Sequence, residues 1–374
     1  MSEKKDGRFI DPETGVLLGE GAEQKTGPIE LSVGVSRRLP TSYYTSKGGP
    51  TYYNQPMLQT PVWIWTVPVY FYAGGTAGAA LTLAGAAQLF GGGRLDGLVQ
   101  ACEWIGAAGL TAGSGLLIAD LGKPSRFLNM MRVFRPTSPL NLGSWLLGGG
   151  ASAAGAAAVF GRAGEPLRSL GRLAGFTAGL FGIPLTGYTG VVLSNTVIPA
   201  WHDARREWPV LFVASSMTGA ASLLDILDLS HREHRVVRTF GLLGKAAEAI
   251  SARYVERRIA QAPATAHPFR RGRASLLWRA AQLFGIASLV TALLPRQTRK
   301  KRIASAVMGT ASSLCVRFAS IEIGMASSEN PCAAFGQQRS GRGAFEKTRN
   351  AAVVGAGEER AYHASDARMA ESAR

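Results

Sequence analysis

Over its longest stretches this chain lacks charge. Residues 62–90, 136–161 and 173–202 contain no Asp, Glu, Lys or Arg. About 20 apolar residues in a helix suffice to cross a bilayer core, so a purely water-soluble fold is excluded for these 374 residues. The mean hydropathy of only +0.07 reflects dilution by polar ends. Cysteine is scarce. Cys102, Cys315 and Cys332 are far apart and show no C-x-x-C spacing, so neither a disulfide framework nor an iron–sulphur cluster is expected in the chain. Histidine is scarce where it would matter. His202, His231, His234, His267 and His363 fall at or beyond the ends of the apolar runs, whereas a membrane haem needs axial ligands inside the bundle, so no haem is expected. The H-x-x-H pair of His231 and His234 lacks a third ligand, and no metal site is expected. The first 60 residues never form an apolar signal core, and Arg37-Arg38 leads into Leu-Pro-Thr-Ser, so the first span is expected to direct its own insertion. There is no Walker loop, H-E-x-x-H or G-x-S-x-G motif.

Positive charge is abundant. The net charge is +16. Lys and Arg gather in the loops between apolar runs, which suits anionic lipid headgroups and not nucleic acid. They divide evenly between the two sets of loops, so the positive-inside rule sets no orientation.

The runs predict an all-α membrane protein of about eight transmembrane helices, near 62–90, 97–119, 140–160, 173–200, 208–227, 236–253, 280–294 and 303–325. The domain reading is a polar, mostly extended tail over 1–60, an eight-helix domain over 61–328 and a polar C-terminal tail over 329–374. Tyr52, Tyr53, Trp63 and Trp65 mark the headgroup level before the first span. Gly74 with Gly78, and Gly109 with Gly113, have the small-xxx-small spacing that lets helices approach closely. Pro184 predicts a kink in the fourth span. Lys245 with Glu248, the shortness of the run 280–294, and Arg317 with Glu322 leave two readings for the sixth, seventh and eighth runs: spans with any charges turned inward, or helices lying in the interface.

A few residues could carry chemistry. Glu103 lies one turn into the second span. It is either part of a proton path or an interface residue paired with a neighbouring Arg. Asp120, Lys123, Arg126, Arg132 and Arg135 form a basic loop in which Asp120 and Arg126 could pair. That loop either binds headgroups or shapes a partner contact. Tyr188 and Asn195 are seven residues apart, which puts both on one face of a continuous helix. Both can donate to a carbonyl such as a quinone's, or serve as a core aromatic and an interhelical hydrogen bond. His202 opens a dense polar turn before the fifth span.

Three segments form a pattern together: TYYNQPMLQTPVWIWTVPVYFYAGGTAGA, ADLGKPSRFLNMMRVFRPTSPLNLGSWLL and LCVRFASIEIGMASSENP, with YTGVVLSNTVIPAWHDARREWP between the last two. The second, read as D-L-G-[KR]-P-x-R-F-L-N-M, is the most specific. Residues 51–339 resemble the NrfD-like membrane subunits of the polysulphide reductase family. The resemblance implies an eight-helix anchor in the bacterial cytoplasmic membrane, not catalytic on its own. Such a subunit would pass electrons between membrane quinone or quinol and a four-cluster ferredoxin-like iron–sulphur subunit, which in turn serves a molybdopterin-type catalytic subunit. It suggests Tyr188 as a quinone contact, with Trp65 and Thr66 at the start of the first span. Relatives often place a charged residue or His there, where this chain has Trp65-Thr66-Val67. A transporter or channel subunit, or a purely structural anchor, is the alternative reading of the same spans.

Overall fold

The computed structural model describes residues 58–121, 123, 125–330 and 333–334, together with the backbone of residues 9–10 and 17–18; the side chains of residues 126, 128, 263 and 264 lie outside the description. The chain forms two compact units, residues 1–55 and 56–374. In the first, β1 (Phe9–Ile10) pairs antiparallel with β2 (Leu17–Leu18), Phe9 opposite Leu18. Apart from residues 58–60, 329–330 and 333–334, the rest of the expected tails lies outside the described residues.

The second unit contains eleven helices among its described residues. Eight are long and follow the eight expected spans in order: α1 (Thr66–Phe90), α2 (Asp96–Asp120), α4 (Pro139–Phe160), α5 (Leu167–Ser194), α7 (Glu207–Ile226), α8 (His231–Ala260), α10 (Gly272–Leu293) and α11 (Arg299–Ser328). Three short helices join them: α3 (Ser125–Arg132), α6 (Pro199–Asp203) and α9 (Pro263–Arg270). Six of the long helices (α2, α4, α5, α7, α10 and α11) are long and apolar enough to cross a membrane. Helix α1 has no charged residue in its 25, and α8 carries its two mid-helix charges inward.

Side-chain size identifies the surrounding solvent. Helix α10 buries Ala274, Ala281 and Ser288 and turns Leu276, Leu283 and Val290 outward. Small residues inside and large apolar ones outside suit lipid, where close backbone packing replaces the hydrophobic drive between helices. The chain is a multi-pass membrane protein.

Helix α1 is central, packing on α2, α5, α7 and α11. Where it crosses α5, a Cβ on Gly78 would fall 2.9 Å from the Gly182 carbonyl oxygen, so only glycine permits this approach. The chain weaves up and down, and both ends of the bundle finish on one side. There the Ser328 hydroxyl donates to Thr60 at 3.1 Å. On the opposite side, Ser230 and Glu233 form a capping box at the start of α8. Glu233 also accepts from the Leu98 backbone N–H at 2.6 Å, so one carboxylate caps two helices.

Two expected boundaries need correction. The fourth span ends at Ser194, not at residue 200. Pro199 is the first residue of α6 and Ile198 before it is extended, because the residue preceding a proline is pushed out of the helical region. The polar stretch after Asp120 is also not all loop, since α3 forms within it.

Candidate functional site

Tyr188 sits near the end of α5 and lines a cleft of about 480 Å³ between α4, α5 and α7. The walls are mainly apolar, with Leu142, Ile183 and Val213, and the polar groups are Thr137, Tyr188 and Asn195. The Tyr188 ring is almost completely buried. Its hydroxyl lies against Gly143 of α4, where any Cβ would overlap it. Tyr70 of α1, also buried, lies beside it. Tyr70 was not singled out from the sequence. The available signal was its position one turn after Thr66, on the same face of α1.

Asn195 reaches the same cleft by a different route from the one expected. It follows the last helical residue of α5 and takes a non-helical conformation, so it does not share a helix face with Tyr188. The cleft gathers both because the chain turns there. Trp65 is 63% exposed, immediately before α1. Thr66 is buried and donates to Asp120 Oδ1 at 3.2 Å, tying the start of α1 to the end of α2. The expected contact of Asp120 with Arg126 falls on a side chain outside the described residues.

The basic loop is anchored by Asn141, which sequence reading also passed over. Its side-chain amide donates to the Met130 and Val133 carbonyls, each at 2.8 Å. Its Oδ1 accepts from the Arg135 backbone N–H at 2.6 Å. The signal was present as Ser138-Pro139-x-Asn141: Ser138 caps α4, Pro139 takes the first turn, and Asn141 follows at the third helical position. Lys123 and Arg135 remain exposed around it.

Glu103 lies elsewhere. It is 6% exposed on α2, accepts from Gln88 Nε2 at 3.1 Å, and packs against Gly175 of α5. From Gly175 to Tyr188 the helix rises about 20 Å at 1.5 Å per residue. The structure therefore places Glu103 near the opposite end of the bundle and does not bring it to the Tyr188 cleft. His202 is exposed on α6 and lines a surface cleft with Arg205, Arg206 and Arg258. Beneath it Trp201 is fully buried, stacked on Trp63 with ring centroids 5.4 Å apart, and its Nε1 donates to the Ser320 carbonyl at 2.8 Å. What reads in sequence as a polar turn is thus nailed to α11.

A family model, polysulphide reductase NrfD, matches residues 54–243, half of the chain and all of the Tyr188 cleft. The chain belongs to the NrfD family. Membership makes it a membrane subunit of a redox complex. No curated protein matches it.

Proposed function

We propose that this NrfD family member is the quinone-reactive anchor of a multi-subunit oxidoreductase in a bacterial cytoplasmic membrane. It exchanges electrons between membrane quinone or quinol and a four-cluster ferredoxin-like iron–sulphur subunit that serves a molybdopterin-type catalytic subunit. The observation that carries this reading is the Tyr188 cleft. Its volume suits a ring-sized ligand, its walls are apolar, and few polar groups converge on it.

The residues fit a quinone head. A bound quinone would supply two-electron chemistry coupled to two protons. The chain supplies orientation. Tyr188 stands where a ligand carbonyl would need a donor, with Tyr70 buried behind it. Thr137 and Asn195 offer further hydrogen bonds at the rim, while Leu142 and Ile183 exclude water. The cleft opens at the same end of the bundle as α3, Asp120 and the basic loop. We assign that end, with Lys123, Arg126, Arg135 and His202 around it, to docking of the iron–sulphur partner. Trp65 anchors the start of α1 at the headgroups and Thr66 locks the loop, so neither acts as a direct quinone contact in this reading. Glu103, about 20 Å away along α5, serves proton movement at the far end, not at the quinone head.

The test is Tyr188→Phe in the assembled complex. One lost hydrogen bond is worth roughly 0.5–1.5 kcal/mol, so quinone-linked turnover falls about three- to tenfold. Electron transfer from the catalytic subunit to an artificial acceptor stays intact. Unchanged quinone turnover moves the site elsewhere. A wild-type complex that binds no quinone makes the chain a structural anchor, and substrate flux through the isolated chain makes it a transporter.

A further inference from the structure

At the end of the bundle opposite α3, the start of α8 meets the turn from α10 to α11. Charge is one-sided there. From residue 257 to residue 321 the chain has no Asp or Glu, and residues 294–302 hold Arg296, Arg299, Lys300, Lys301 and Arg302. Across from this turn, Arg232, Arg235 and Arg238 recur at every third position of α8. Lys301 serves the turn itself, its Nζ donating to the Pro295 carbonyl at 3.0 Å. Gln297 donates to the Leu294 carbonyl at 2.7 Å and closes the end of α10.

Between α8 and this turn lies a polar basin of about 250 Å³. Its lining sets three arginines, Arg235, Arg238 and Arg302, against one carboxylate, Asp225. Arg238 Nη2 donates to the Ala292 carbonyl at 3.2 Å, which holds that side chain against α10. His234 also lines the basin, and both of its ring nitrogens are buried without a hydrogen bond among the described residues. A histidine ring carries at least one N–H, and a buried donor left without an acceptor is costly. Arg302 Nε is buried with no hydrogen bond either. Donors and an excess of positive charge around one hollow suit an anion with several acceptor oxygens.

The hollow continues into the membrane. The sixth and eighth apolar runs begin near residues 236 and 303, so the basin stands at the headgroup level. Arg235 is shared with a shallow groove of about 380 Å³ that follows α8 past Val236, Thr239, Phe240 and Leu243. From Arg235 to Leu243 the helix rises about 12 Å at 1.5 Å per residue. A free phosphate has nothing to lay in such a groove. An acidic segment of a protein partner would carry backbone polar groups to hydrocarbon depth, where they go unsatisfied. A phospholipid fits both parts. We propose that basin and groove together bind an anionic phospholipid. Arg235, Arg238, Arg302 and His234 hold its phosphate, and Val236, Phe240 and Leu243 carry one acyl chain. The bound lipid ties α8 to the α10–α11 turn. The site includes no residue of the Tyr188 cleft.

The test uses the full chain with the subunits that copurify with it, washed free of lipid in a neutral detergent. Thermal melts are followed as phosphatidylglycerol or phosphatidylcholine is added, since a ligand of the folded state raises the melting temperature. Phosphatidylglycerol should act at about tenfold lower concentration, because it alone of the two is anionic. Arg235→Gln and Arg302→Gln should each weaken its effect about fivefold, as for one cation lost beside an anionic headgroup. Arg94→Gln, an exposed position at the same end and outside the basin, should leave it unchanged, which separates a site from general surface charge. Should Arg302→Gln fail to assemble, Arg235→Gln carries the test, because that side chain is exposed. Native mass spectrometry should show phosphatidylglycerol retained by the wild type and lost from Arg235→Gln. Equal responses to the two lipids overturn the proposal, and so does an undiminished preference in the assembled arginine variants. Equal stabilisation by glycerol 3-phosphate overturns it in favour of a free-anion site. Displacement of the retained lipid by a short-chain quinone overturns it in favour of a quinone groove. No electron transfer enters the readout, so a failed Tyr188 assignment leaves it unaffected.

Discussion

The two halves of the bundle bury polarity in different ways. In α1, α2, α4 and α5 the interior is mostly glycine, alanine and leucine, and its titratable groups are isolated: Glu103 at one end, Tyr70 and Tyr188 near the other. In α7, α8, α10 and α11 serines and threonines line the contacts, and charges meet at the centre. The family match ends at residue 243, two residues before Lys245. The first half therefore reads as a scaffold whose helices approach closely enough to shape, together with α7, a cleft. The second reads as a polar seam. Their meeting point is Arg317, which reaches Ser216 of α7, whose hydroxyl donates in turn to the Thr186 carbonyl of α5 at 2.9 Å. Polarity placed by backbone proximity and polarity placed by ionisable side chains fail differently, and that contrast can be tested.

The largest effect belongs to Arg317. Arg317→Met strips the Phe212 carbonyl and Ser216 of their donor and leaves Lys245 as the nearby cation for Glu248. Removing one partner from a buried charge cluster costs about 3–5 kcal/mol. The variant is expected to melt well below the wild-type complex and to give a poor yield in detergent. Co-substitution with Glu248→Gln should recover part of the loss, because the carboxylate that lost a cation is gone. A wild-type melting curve for Arg317→Met would mean that the second half is held by its small-residue packing alone.

Next comes Gly143. Any side chain there overlaps the Tyr188 hydroxyl. Gly143→Ala forces either α4 or the tyrosine to move, an overpacking of about 1–3 kcal/mol. Quinone-linked turnover should drop more than in Tyr188→Phe, since the whole cleft shifts. A loss no larger than in Tyr188→Phe would mean that the cleft absorbs the shift of α4.

How much of this could be read beforehand differs between the halves as well. The eight spans were legible because a run of about 20 residues without charge suits the hydrocarbon core and little else. The loop motif was legible as a resemblance, but its anchor was not: Asn141 lies inside the apolar run, where its hydrogen bonds to Met130 and Val133 leave no mark on composition. Tyr188 stood out by type and place. Tyr70 did not, because only the crossing of α1 and α5 brings the two together. The inward turn of Lys245, Glu248 and Arg317 was one of two open readings, since a charged stripe on a helix looks the same whether it faces water or a bundle interior. The distance between Tyr188 and Glu103 was not legible either, because a sequence does not say which turns of neighbouring helices face each other. Both groups contact α5, at opposite ends of it.

That separation sharpens a third prediction. Glu103→Gln keeps the size of the side chain and the contact with Gln88, so the fold should hold. With the acid remote from the cleft, its effect on quinone-linked turnover should be smaller than that of Tyr188→Phe, within about threefold, as for loss of a single polar contact. A larger loss than in Tyr188→Phe would place a quinone head at the Glu103 end, beside Gln88 and Gly175, and the Tyr188 cleft would then need another ligand.

The smallest expected effect is at Asp120, and it separates fold from docking. Asp120 accepts from Thr66 at 3.2 Å at a half-buried position. Losing that bond by Asp120→Ala costs about 0.5–1.5 kcal/mol, too little to unfold a bundle whose α1 and α2 pack along their full length. The isolated chain should therefore melt within a few degrees of wild type. The same bond, however, fixes where α2 ends and α3 begins, at the end of the bundle assigned to the iron–sulphur partner. Recovery of the whole complex on pull-down should fall by more than the melting curve suggests. Thr66→Val, which removes the donor and keeps the shape, should reproduce the defect. If both variants assemble normally, the Thr66–Asp120 bond is a helix-end lock only, and the partner docks by way of the exposed Lys123 and Arg135 or of the cleft beside His202.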